Sequence, residues 1–194
     1  PVLRDSMRPS SRVVLLATGM LVLLGCASAV QDWVKPGAAR VTRLAVLAFE
    51  NQTTSLRAGQ AAADLLASSL LATGAIAVMD PSEVADLLRR ENLDVTEVGR
   101  LPSAQRLGRL LQVSHVLQGS VTEYRYKPGL SETPAVGLTA RLVESGSGEV
   151  VWTASHARVG FSWIREDGLA RVAQRVAHDM ADHLTAALGD ARAR

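Results

Sequence analysis

The chain holds a single cysteine, Cys26, so no disulfide can form within it, and its stability has to come from packing. Its one strongly apolar opening segment, Val13 to Leu24, is too short to cross a bilayer core of roughly 30 Å at about 1.5 Å per residue. Charge of one sign is also missing. Setting residues 1–25 aside removes Arg4, Arg8, Arg12 and Asp5, which turns 21 basic and 19 acidic residues into 18 of each. The pI near 9.2 therefore owes much to the first residues and does not signal the basic patch that nucleic acid needs, so no nucleic-acid partner is expected. Catalytic signatures are absent too: there is no Gly-x-Ser-x-Gly elbow, phosphate loop or dinucleotide fingerprint, and Ser147 between Gly146 and Gly148 reads as a hairpin turn. His178 and His183 are five apart on one helix and miss the i, i+4 spacing of a metal pair. His115 and His156 read as edge or core residues of strands. Glu123 with Glu144, or Asp179 with Asp182, could pair as acid and base but read as solvated faces. No enzymatic activity, metal or cofactor is expected.

What is present starts with Met7, Arg8 and Arg12, a short positive start before the apolar Val13–Leu24 segment and Leu23-Leu24-Gly25-Cys26. The last four residues resemble the bacterial lipobox, with Leu24 where a small residue is usual. The resemblance implies cleavage between Gly25 and Cys26 and a covalent lipid on Cys26. Ala27 and Ser28 follow, without the Asp that retains such proteins at the inner membrane, which implies the outer membrane. Three parts result: a signal peptide over 1–25, with Pro1 to Ser6 preceding the start at Met7, a lipidated tether over 26–40, and one domain over 41–190. The tether carries Gln31, Asp32, Lys35, Pro36 and Gly37 with no sustained period. Its Trp33 rests either on the bilayer interface or on the domain.

Within the domain, Arg43 to Phe49 is a short apolar run closed by Glu50 to Thr54, a buried strand and a loop. Ala58 to Ala72 has helical spacing, Ile76 to Met79 is a second short strand, and Asp80-Pro81-Ser82-Glu83 starts a helix carrying Val84, Leu87 and Leu88. Ser103 to Leu111 predicts a further short helix. His115 to Tyr126, Ala135 to Val143 and Glu149 to Val159 are rich in Val, Thr, Tyr and Trp and predict three antiparallel strands, with Ser145 to Gly148 turning between the last two. Leu169 to Leu188 closes the chain as a helix with Leu169, Val172, Ala173, Val176, Met180, Leu184 and Ala187 on one stripe. The fold class is α+β, a mixed β-sheet packed by helices in the order β-α-β-α-α-β-β-β-α.

The series Arg43-Leu-Ala-Val-Leu-Ala-Phe49, Glu50-Asn51, Ile76 to Asp80, His115 to Glu123, Ala140 to Val143 and Gly148 to Trp152 resembles the superfamily of outer-membrane lipoproteins that share the fold of the TolB amino-terminal domain. Its members include the curli secretion channel, the Pel exopolysaccharide export lipoprotein, flagellar lipoproteins and the lipoprotein activator of penicillin-binding proteins. The resemblance runs from about Arg43 to Leu188 and speaks for the fold more than for the member. The curli channel is described as building its pore from two long inserted hairpins, each needing about 9–11 residues per strand. Here the corresponding connections are only Lys127 to Pro134 and Gly160 to Gly168, so a self-made pore is not expected. The second of them holds Phe161, Trp163 and Ile164, three large apolar groups that either dip into lipid head groups or cap a core or subunit contact.

The resulting expectation is a non-enzymatic lipoprotein at the outer membrane, facing the periplasm. It forms homo-oligomeric rings and serves an export apparatus for polysaccharide, protein or a surface appendage, with membrane lipid and export or envelope proteins as partners. Of the 18 basic residues after position 25 all but Lys35 and Lys127 are Arg, which suits subunit contacts, although high-GC coding gives the same bias. A tethered periplasmic regulator of peptidoglycan synthesis is the alternative, and the fourteen residues from Ala27 to Arg40 argue against it because they span at most about 50 Å. A hydrolase or small-ligand binder ranks third.

Overall fold

A computed structural model describes residues 28–36, 40–93, 103–129, 132–160 and 167–193. The apolar run beginning at Arg43 becomes β2 (Arg43–Val46), and Leu44 to Val46 are apolar in succession because both sides are covered. Leu44 and Val46 enter one core, Ala45 and Leu47 another on the opposite face. Two neighbours run parallel to β2: β4 (Ala77–Val78) on one side and β5 (His115–Lys127) on the other. Beyond β5 the sheet is antiparallel, through β6 (Thr133–Glu144), β7 (Val150–Val159) and β1 (Ser28–Val34). The strand order is β1-β7-β6-β5-β2-β4, with β3 (Glu50–Asn51) pairing beside β5. This is the mixed sheet expected, with two strands more than expected. The tight turn at Ser145 to Gly148 forms as anticipated, ending in a left-handed Gly148 at φ 77 that a side chain would strain.

Helices α1 (Ala58–Thr73) and α4 (Leu169–Ala193) pack on one face and against each other. Leu66 and Leu70 of α1 and Val172, Val176, Met180 and Leu184 of α4 meet Leu117, Leu138, Leu142 and Trp152 of the sheet, all fully buried. The α4 stripe is the one the spacing predicts, with Leu169 and Ala187 only partly buried at its margins. Each large apolar side chain removed from water there contributes about 1.5–3 kcal/mol, which is why α4 holds its place. On the other face α2 (Pro81–Arg90) and α3 (Ala104–Leu111) press Val84, Leu88, Leu107 and Leu111 onto Ala45, Leu47 and Val116. Asp80 starts α2 by accepting the Ser82 N–H at 2.8 Å, with Pro81 at the first helical position. The Ser82 hydroxyl and that N–H together hold the Asp80 carboxyl below its ordinary 3.8.

The tether needs correction. Residues 28–34 do not hang free but form β1, paired with β7 at every position from Ser28 opposite Arg158 to Val34 opposite Trp152. An edge strand of this kind owes much to its backbone ladder and little to an apolar face: Val30 and Trp33 are both exposed, and Val34 is partly buried against the core. Composition read as linker therefore concealed a strand. Glu50 and Asn51, expected in a loop, pair with Ser120 and Val121 as β3.

Candidate functional site: the edge strand and one end of the sheet

Three chain segments meet at a single end of the sheet. The chain enters β1 at Ser28, opposite Arg158, and leaves β7 at Val159, opposite Ala135 near the start of β6. Lys127, the last residue of β5, lies opposite Thr133, so β5 ends and β6 begins at the same end. The next residue, Gly160, donates its N–H to Pro134 O at 2.7 Å and is buried. A Cβ there would stand 2.7 Å from Pro134 Cγ and 2.9 Å from Val172 Cγ2, so only glycine fits. After residues 161–166 the chain returns at Asp167, whose buried carboxylate takes two guanidinium N–H bonds from Arg175 at 2.9 and 3.0 Å. Leu169 N–H then bonds the Tyr126 hydroxyl at 3.2 Å. Both ends of the 161–166 connection are thus fixed to the sheet.

The predicted lipid attachment at Cys26, the cleavage position at Gly25 and the predicted membrane-contact residues Phe161, Trp163 and Ile164 lie outside the described residues. What the described residues fix is their neighbours: Ser28 is two residues after Cys26, and Val159 two residues before Phe161. No helix among the described residues is long and apolar enough to cross a membrane.

Strand β1 is held by more than its ladder. Lys35 N–H bonds Val151 O at 2.8 Å, and its ammonium pairs with Glu149. Asp32 points to the α4 side between Val30 and Val34, where its carboxylate meets two imidazoles. His156 Nε2 of β7 lies 2.9 Å from Asp32 Oδ1, and His183 Nδ1 of α4 contacts Asp32 Oδ2. The imidazoles stand edge to face, centroids 4.9 Å apart and planes at 80°. Nearby, Arg158 bonds Asp179 of α4 at 2.8 Å. Trp33, 50% exposed, stands on the opposite face beside Thr153, not on the domain core and on the half of β1 remote from Ser28.

Spacing along the sequence kept these histidines apart, and only the fold joins them. One signal was available: Val30-x-Asp32-x-Val34 alternates as a strand does, and a carboxylate facing the same side as two valines needs a partner. His115 behaves as the core residue expected. It is buried at the start of β5 with Nδ1 3.0 Å from the Ser114 hydroxyl, and burial pushes its pKa below the ordinary 6.5, opposed by the charge of Glu144. The four carboxylates considered as acid–base pairs have other partners: Glu123 pairs with Arg125 and Lys127, Glu144 with the Ser147 hydroxyl, Asp179 with Arg158 and Asp182 with His178.

No family model and no curated protein sequence matches the chain. Solved structures do. The PelC dodecamer of Paraburkholderia phytofirmans is 28% identical over 81% of this chain and 97% of that one, with a TM-score of 0.58. A single-substitution variant of the same protein gives 30% identity over 78% and 94%, again at 0.58. The lipoprotein GNA1162 of Neisseria meningitidis, 20% identical over 73% and 99% with a TM-score of 0.58, shares the fold. Identity at this level over nearly the whole of PelC, on the mixed sheet that the sequence motifs resemble, means that the chain belongs to the family of PelC.

Proposed function

We propose that the protein is a non-enzymatic envelope lipoprotein held at the outer membrane by a lipid on Cys26, facing the periplasm, where its copies form a ring that serves an export apparatus. One observation carries this reading: the entry to β1 and the exit from β7 lie at the same end of the sheet. Ala27 alone separates Cys26 from Ser28, a reach of about 7 Å at roughly 3.5 Å per residue. Phe161, Trp163 and Ile164 begin two residues after Val159. The lipid and the apolar segment then act on one end, and the sheet stands on the membrane with its aromatic groups at the head-group level. That PelC forms a dodecamer supports assembly of this chain with itself. Trp33, exposed beside Thr153 on a sheet face that no described helix covers at β1 and β7, is the aromatic available for the subunit contact. The tethered regulator loses its main requirement, since β1 takes up the residues that would have formed the reach.

The test is native mass, measured for the lipidated protein in detergent and for a soluble form starting at Ala27. A discrete assembly of many subunits in both supports the ring, and Trp163→Ala should then weaken membrane binding of the lipidated form. A monomer in both across a wide concentration range would sink the ring and favour the regulator.

A further inference from the structure

We propose that Asp32, His156 and His183 form a binding site for one divalent transition-metal ion of the zinc class. The site is independent of the export reading. It draws on three elements: Asp32 from β1, His156 from β7 and His183 from α4. One ligand atom from each of the three lies within 4.8 Å of the other two. Zinc bonds of about 2.0–2.2 Å to imidazole nitrogen and carboxylate oxygen place tetrahedral ligands roughly 3.3 Å apart. Asp32 Oδ1 and His156 Nε2 are already 2.9 Å apart, so small side-chain rotations open the cluster to that size.

Burial is graded as a three-ligand site requires. The His156 side chain is 2% exposed and fixed by the sheet, Asp32 is 23% exposed and His183 45%. An ion can therefore enter from solvent and keep a water molecule in the fourth position. The ligand set also has a chemical preference: two imidazoles and one carboxylate suit zinc or copper better than calcium or magnesium, which favour oxygen alone. Without an ion, Asp32 accepts one N–H from each imidazole, and the cluster is only a polar latch. With one, the same three side chains join the edge strand β1 to β7 and α4 by coordinate bonds.

The experiment uses the full chain in detergent after chelator treatment, titrated with zinc chloride by calorimetry and with cobalt chloride by visible absorption. One ion per chain, a cobalt spectrum of tetrahedral type and a zinc-dependent rise in melting temperature are expected. His183→Ala and Asp32→Asn should weaken zinc binding about tenfold or more, since even changes behind the direct ligands reach that scale. His178→Ala, which alters the separate His178–Asp182 pair, should leave it unchanged. His183 is half exposed, and circular dichroism of the metal-free variants checks that they fold. Absence of binding by the unmodified chain, equal binding by a folded His183→Ala variant, or loss of binding in His178→Ala would each overturn the site.

Discussion

The two faces of the sheet differ in what they cover. Helices α1 and α4 lie over β2, β5, β6 and β7 on one side and bury a continuous core that includes Trp152 and Leu184. Helices α2 and α3 close a smaller cluster over β2 and β5, and among the described residues they leave β7 and β1 bare on that side. A single sheet can thus be both scaffold and contact surface. The covered face holds the fold together, while the bare one, with Trp33, is free to meet another chain.

This difference can be broken first from the covered side. Leu184→Ala removes a fully buried side chain from α4 and should cost about 2–5 kcal/mol in denaturant unfolding. Ser103→Ala, on the smaller cluster's side, deletes the hydroxyl that accepts the Arg106 N–H at the start of α3 and should cost roughly 1 kcal/mol. A loss near zero would mean that α3 is held by Leu107 and Leu111 alone. His115 gives a pH signature. Its folded pKa is depressed by burial, so the unfolded chain binds the proton more readily. Its contribution is complete above 6.5 and is lost as pH falls from there through the lower folded value. Melting temperatures measured downward from neutral pH should show this fall, and His115→Gln should flatten it. Trp33→Ala is the smallest change in stability, within about 0.5 kcal/mol, because the ring is half exposed. It should nevertheless reduce the native mass of the assembly. Unchanged mass would move the subunit contact elsewhere.

How far the fold could be read from sequence depended on whether local pattern or distant pairing determined each element. The helix stripe from Leu169 to Ala187 and the alternating strands β5 to β7 are local patterns, and they appear where the sequence places them within a few residues. The edge strand was misread because the alternation of Val30, Asp32 and Val34 is brief and lies among linker-like residues. Its hydrogen-bond partners lie more than a hundred residues away in β7. The same distance hid the contact of Asp32 with His156 and His183, since helical spacing compares only neighbours on one element. Glu50 and Asn51 were hidden by brevity, two polar exposed residues whose strand character exists only beside β5.

The pairing of Ser28 with Arg158 also orders events in time. A chain made amino end first exposes β1 long before β7 exists, so β1 cannot dock until nearly the whole domain has emerged. Closing so long a loop is slow relative to the local hairpins β5–β6 and β6–β7, which form between sequence neighbours. Strand β1 is therefore the last to join the sheet, and that edge closes only when folding is almost complete.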